Sequence, residues 1–221
     1  MAWRSAIHLL PATTAMLLVV SAMAAAAPPD AGWRAYQKHD YAAALADYEG
    51  RAREGDRVAQ FNLAMMLMRG EAGPVDVAGG LVWLQRAADA GLAQAQYNLG
   101  LMYENGVGVD KSLTAATMWW SKAAEQGHAD AQVQLATQYF LGRGAPKDWT
   151  LAAKWYEAAA ENGDSGAQYI IGSFYEHGDG VPRDLNKALA WYVEAARQGD
   201  IGAAAQAKDV ARRLAAAPRA P

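Results

Sequence analysis

The chain has no cysteine among its 221 residues. That excludes disulfides, thiolate metal sites, a cysteine nucleophile and a lipid-modified N-terminal cysteine, so stability has to come from packing. Charge of either sign is nearly balanced, with 20 Lys and Arg against 23 Asp and Glu for a formal net charge of -3. No basic run stands out, which argues against a nucleic-acid partner. Formal charge is missing altogether between Arg4 and Asp30. Ala15-Met16-Leu17-Leu18-Val19-Val20 is the apolar heart of that span, and Ala22 and Ala24 supply an A-x-A pattern. Residues 1–24 therefore read as a secretory signal peptide, with no membrane insertion of the chain after its cleavage; a retained membrane anchor is the alternative that the uncharged span allows.

What the chain has is repetition. Ala-Gln recurs at Ala59-Gln60, Ala95-Gln96, Ala131-Gln132 and Ala167-Gln168, each glutamine 36 residues after the last. Trp83, Trp119, Trp155 and Trp191 share one register, and so do Gly70, Gly106, Gly142 and Gly178, and Gly55, Gly91, Gly127, Gly163 and Gly199. A period of this size marks units that are single supersecondary elements stacked on their neighbours, so function is to be sought on a surface. The frames are 56–91, 92–127, 128–163 and 164–199.

Within 92–127, Ala95, Leu99, Met102 and Tyr103 fall at helical spacing and predict a helix A over 93–105. The residue after the Leu column is always small (Ala64, Gly100, Ala136, Gly172), which lets a second helix approach closely. Gly106 and its equivalents suit a left-handed helix end. Asp76, Ser112, Asp148 and Asp184 are favoured N-caps and predict the start of helix B. The tryptophans, with Ala87, Ala123, Ala159 and Ala195 four residues on, read as the core face of helix B. Gly79-Gly80 predicts that the first helix B starts late or frays. Residues 30–55 read as short capping helices, 200–215 as a C-terminal capping helix with a polar face, and 216–221 as a disordered tail.

Ala95-Gln96-Tyr97-Asn98-Leu99-Gly100-Leu101-Met102-Tyr103 followed by Gly106-x-Gly108 resembles the Sel1-like repeat, a relative of the tetratricopeptide repeat with a longer loop inside each unit. Repeat 164–199 is the closest to the family pattern, with Gly178-x-Gly180-Val181, Asp184, Lys187-Ala188, Trp191-Tyr192, Ala195-Ala196 and Gly199. The resemblance covers residues 56–200 and implies an all-α, right-handed solenoid of stacked helix-turn-helix units. It also implies adaptor work: a non-catalytic scaffold that binds a protein or peptide partner through its concave face, here expected to be bacterial, exported to the periplasm or secreted, and monomeric. Two other readings stay open. One is a cell-wall-acting or β-lactam-binding enzyme or inhibitor, by analogy with a cysteine-rich branch whose paired cysteines this chain lacks. The other is a structural part of an envelope or polysaccharide-secretion assembly.

In the tetratricopeptide relatives the groove is lined by the face of helix A opposite its core stripe. In this chain that face carries Gln94, Tyr97, Leu101, Glu104 and Asn105 and their equivalents, and half of those positions are apolar. The column Phe61, Tyr97, Val133 and Tyr169 is uniformly apolar, which suits packing between helices. The columns that change from repeat to repeat suit recognition: Met65, Leu101, Thr137 and Ser173, with Met68, Glu104, Phe140 and Glu176. Those residues and Tyr97 form the candidate partner-binding set. No catalytic residue, metal ligand or cofactor site is expected. His39, His128 and His177 have no metal-ligand spacing, and the Gly-x-Gly loops lack the Lys-Ser/Thr of a phosphate cradle.

Overall fold

The computed structural model describes residues 30–216. The signal-peptide reading of 1–24 and the tail from 217 onward lie outside them. Among the described residues there are eleven helices and no strands: α1 (Ala31–Gln37), α2 (Tyr41–Arg53), α3 (Arg57–Arg69), α4 (Val77–Asp89), α5 (Ala93–Asn105), α6 (Leu113–Glu125), α7 (Ala129–Leu141), α8 (Trp149–Glu161), α9 (Ser165–His177), α10 (Leu185–Arg197) and α11 (Ile201–Ala216). Each helix packs on the one before and the one after it, as in a solenoid. Helices α3, α5, α7 and α9 are the A helices of the four repeats, and α4, α6, α8 and α10 are the B helices.

The equal lengths have a local cause. Helix A ends where Gly70, Gly106, Gly142 and Gly178 turn left-handed, at φ between 66 and 82°. The side chains of Asp76, Ser112, Asp148 and Asp184 then accept a hydrogen bond from the first turn of helix B. The backbone N–H of each of these four caps also donates to a helix A carbonyl, at Leu67, Tyr103, Tyr139 and Tyr175, and closes the loop. The first helix B does not start late. Asp76 accepts from the Gly79 N–H at 2.8 Å, and a side chain at Gly80 would collide with Met68 Cγ at 2.5 Å, so this glycine is there for close helix approach.

Two further expectations are corrected. The tryptophan column is not the centre of the core: Trp83, Trp155 and Trp191 are half-buried, and only Trp119 is buried. The buried column is the next residue, Leu84, Trp120, Tyr156 and Tyr192. The buried face of α4 is Gly80, Leu84, Ala87 and Ala88, and Trp83 lies about 100° off Leu84 around the helix, where it packs toward the preceding unit under the Arg86 guanidinium at 4.5 Å. The second correction is at Ala216, which ends α11 and is not part of a tail.

The ends are closed by different means. Arg51 of α2 joins Asp30, the N-cap of α1, to Asp56, the N-cap of α3, donating from Nε to Asp56 at 3.1 Å. At the other end α11 buries Ala203, Ala207 and Val210 against α10 and exposes Lys208 and Arg212, the polar outer face that a solenoid end requires.

Candidate partner-binding face

The nine candidate residues fall into two groups. Met65, Leu101, Glu104, Thr137 and Phe140 are half-buried, whereas Met68, Tyr97, Ser173 and Glu176 are buried. Three of the buried four are withdrawn for identifiable reasons. Met68 packs over Gly80 of α4. Tyr97 stacks on His128 of the next repeat with ring centroids 4.7 Å apart, which keeps its hydroxyl pKa raised by burial. Its column packs between helices as the uniform apolarity predicts: Phe61, Val133 and Tyr169 all lie against core clusters. Glu176 is only 7% exposed because Tyr192 and Arg213 hold it, and Arg213 comes from α11. The capping helix thus closes the fourth repeat, and the open stretch of the face lies on the first three.

The open positions differ in chemistry. Leu101 presents an apolar surface, while the Thr137 hydroxyl donates to Val133 O at 2.8 Å and lies 2.9 Å from the Tyr156 hydroxyl. Phe140 is the edge of an aromatic cluster, 5.0 Å from Trp149 and 5.9 Å from Phe174 between ring centroids, with the Lys147 ammonium 4.7 Å above Trp149. Burial pushes the Glu104 carboxyl above its ordinary value, against the opposing pull of Arg143 and Lys111.

Three residues near this face were not singled out from the sequence. Gln138 stands in a column otherwise made of Met66, Met102 and Phe174, and its Oε1 is buried without a partner. Trp120 is wholly buried with its indole N–H unpaired. Arg213 was read only as part of a polar end. A polar residue in an apolar column was the available signal for Gln138; Trp120 and Arg213 had none, because their roles depend on contacts between repeats.

No group of three or more His, Asp or Glu among the described residues is placed to hold a metal, and no described helix is long and apolar enough to cross a membrane. The half-buried side chains can offer apolar contact, a hydroxyl and one carboxylate.

The Sel1 repeat model matches residues 57–92, 93–128, 129–164 and 165–200. No curated protein matches the chain. Among solved structures, a Sel1 repeat protein from Oxalobacter formigenes is 34% identical with a TM-score of 0.76, over 81% of this chain and 75% of that one. A protective antigen of uropathogenic Escherichia coli strains, described as displaying an SLR fold, is 36% identical with a TM-score of 0.67 over 72% of this chain. The match spans 34% of the length of that antigen. With four consecutive matched units and the observed stacking of helix pairs, the chain belongs to the Sel1 repeat family.

Proposed function

We propose that this protein is an exported, non-catalytic adaptor of a bacterial envelope that binds a protein or peptide through the helix A face of its first three repeats. Sel1 repeats commonly serve as protein-interaction scaffolds and are generally non-catalytic. The observation that carries the reading is the contrast between two neighbouring rows. The row that packs between helices is apolar throughout, whereas the row beside it, half-buried to the same degree at Met65, Leu101 and Thr137, changes in chemistry from one repeat to the next. A structural row needs one kind of residue repeated; a row that reads a partner needs a different residue at each step. Export rests on the charge-free N-terminal span, and the periplasm is the compartment proposed for it.

The test is affinity capture of partners by the chain from the envelope fraction of its source organism, followed by mass spectrometry. A dominant partner should be retained by the wild type and lost by Leu101→Asp and Phe140→Asp variants whose helicity by circular dichroism is unchanged. Retention of the partner by both variants would reject the face.

A further inference from the structure

Tyr97 is the one buried member of its row. Its equivalents Phe61, Val133 and Tyr169 are half-buried, whereas Tyr97 is 8% exposed. The difference lies in what the next unit places against it. The cap position that holds His128 holds Leu92, Asp164 and Asp200 in the other units, so only Tyr97 meets a ring there. The imidazole stacks on the phenol with centroids 4.7 Å apart and planes 22° apart. The rest of the Tyr97 side chain packs into the cluster of Ala116, Trp120 and Leu135, and His128 closes its open side.

The pose of His128 depends on one proton. Nδ1 accepts the Ala131 N–H at 3.3 Å, which caps α7, and Nε2 lies 3.1 Å from Gln94 Oε1. A neutral ring with its hydrogen on Nε2 satisfies both contacts at once. A protonated ring carries a hydrogen on each nitrogen. Nδ1–H then opposes the Ala131 N–H, and no rotation of the ring restores an acceptor. The cap is lost, and a cation is held at the positive end of a helix. Gln94 and Tyr97 face the ring from α5, Glu125 ends α6 in the exposed turn before it, and Asp130 stands in the first turn of α7. Asp130 favours the cation, but burial outweighs it and holds the pKa below the ordinary histidine value. The phenol face also attracts a cation, though only in the stacked pose that sets the two donors against each other.

We propose that His128 is a proton-operated lid over Tyr97. Neutral, it caps α7 and keeps the phenol out of the partner-binding face. Protonated, it gives up the cap, turns to solvent and adds Tyr97 to the face, one helical turn before Leu101. The inference rests on the partner-binding face proposed above. A phenol brings both an aromatic contact and a hydroxyl, so an acidic medium enlarges and changes the surface that a partner meets.

The test uses the full chain with meta-fluorotyrosine in place of tyrosine and, in a parallel sample, with its histidine ring carbons isotope-labelled. The carbon resonances give the pH at which His128 protonates. A gadolinium chelate in solution broadens the fluorine resonance of each tyrosine that solvent reaches, and Tyr97→Phe identifies the resonance of Tyr97. Below the His128 midpoint that resonance should broaden to the level of Tyr169, which has Asp200 at the cap position and should not change. His128→Asn keeps a cap without a ring and should expose Tyr97 at every pH. Equal protection of Tyr97 on both sides of the midpoint overturns the lid. So does protection that persists in His128→Asn, and so does a His128 that stays neutral until the chain unfolds. The face itself is decided separately by partner capture with Leu101→Asp, so either idea can fail alone.

Discussion

Gln126 Nε2 donates to Gln96 Oε1 at 2.7 Å, tying the end of α6 to the start of α5. The bond recurs as Asn162 to Gln132 at 2.8 Å and Gln198 to Gln168 at 2.9 Å, while each Ala-Gln glutamine also donates from its own Nε2 to a carbonyl of the preceding helix, Ala88, Ala124 or Ala160. This explains the motif that first reveals the repeat: a buried amide satisfied on both sides stitches three consecutive helices together. Gln60 donates to Ala52 O at 3.1 Å, but Ala90 stands where its partner should be, and its Oε1 is buried and unpaired.

Ala90→Gln should therefore stabilise the protein. Ala90 already has the backbone of its equivalents, φ -74 and ψ 5° against -88 and 3° at Gln126, so no rearrangement is needed. Completing the rung should be worth about 1 kcal/mol, and Asn162→Ala should cost about as much. Urea unfolding of the two variants checks both signs; a neutral or destabilising Ala90→Gln would show that Gln60 is satisfied by solvent.

Gly100→Ala should destabilise although alanine is the better helix former by about 1 kcal/mol. Its methyl would meet Trp120 Nε1 at 2.4 Å, and overpacking of this kind costs about 1–3 kcal/mol. The first repeat accommodates alanine at this position, Ala64, with the smaller Leu84 at the Trp120 position. A double-mutant cycle of Gly100→Ala with Trp120→Leu should show favourable coupling; additive losses would separate the two sites.

His128 should make stability depend on pH. Its Nδ1 accepts from the Ala131 N–H at 3.3 Å as the cap of α7, and its Nε2 lies 3.1 Å from Gln94 Oε1, an arrangement that requires the neutral ring protonated at Nε2. Burial lowers its pKa below 6.5, with nearby Asp130 opposing. The unfolded chain then binds the proton more readily than the fold does. The contribution is complete above about pH 6.5 and is lost as pH falls through that value toward the folded-state pKa. Unfolding free energies at about pH 8 and about pH 5 should show a larger loss for wild type than for His128→Asn, which caps without titrating; equal losses would mean that His128 does not contribute.

The helix lengths, the glycine ends and the caps were legible because each is a local rule that the chain repeats: Gly106 needs positive φ and Ser112 needs only its own first turn. What was not legible depends on neighbours. Trp119 and Trp120 have the same local signal, and only the stacking of repeats decides which is the centre of the core. Glu176 looks like Glu104 along one helix, yet it is shut off by Arg213, 37 residues further on. Gly79-Gly80 looked like a weak helix start because glycine is costly alone; contact with Met68 requires the smallest residue at Gly80.

Arg51 should hold the N-terminal end together. It bridges the caps of α1 and α3, so Arg51→Met should raise hydrogen exchange through α1 and α2 and lower stability by about 1–3 kcal/mol, while exchange in α9 and α10 stays unchanged. A uniform rise along the whole chain would mean that the repeats unfold as one unit.

The most direct test of the adaptor account is site-specific photo-crosslinking in the source organism, with the crosslinking residue placed at Leu101 or at Val82, which is exposed on helix B. The account predicts a discrete partner adduct from Leu101 and none from Val82. An adduct from Val82 with none from Leu101 would contradict it and move recognition to the B helices.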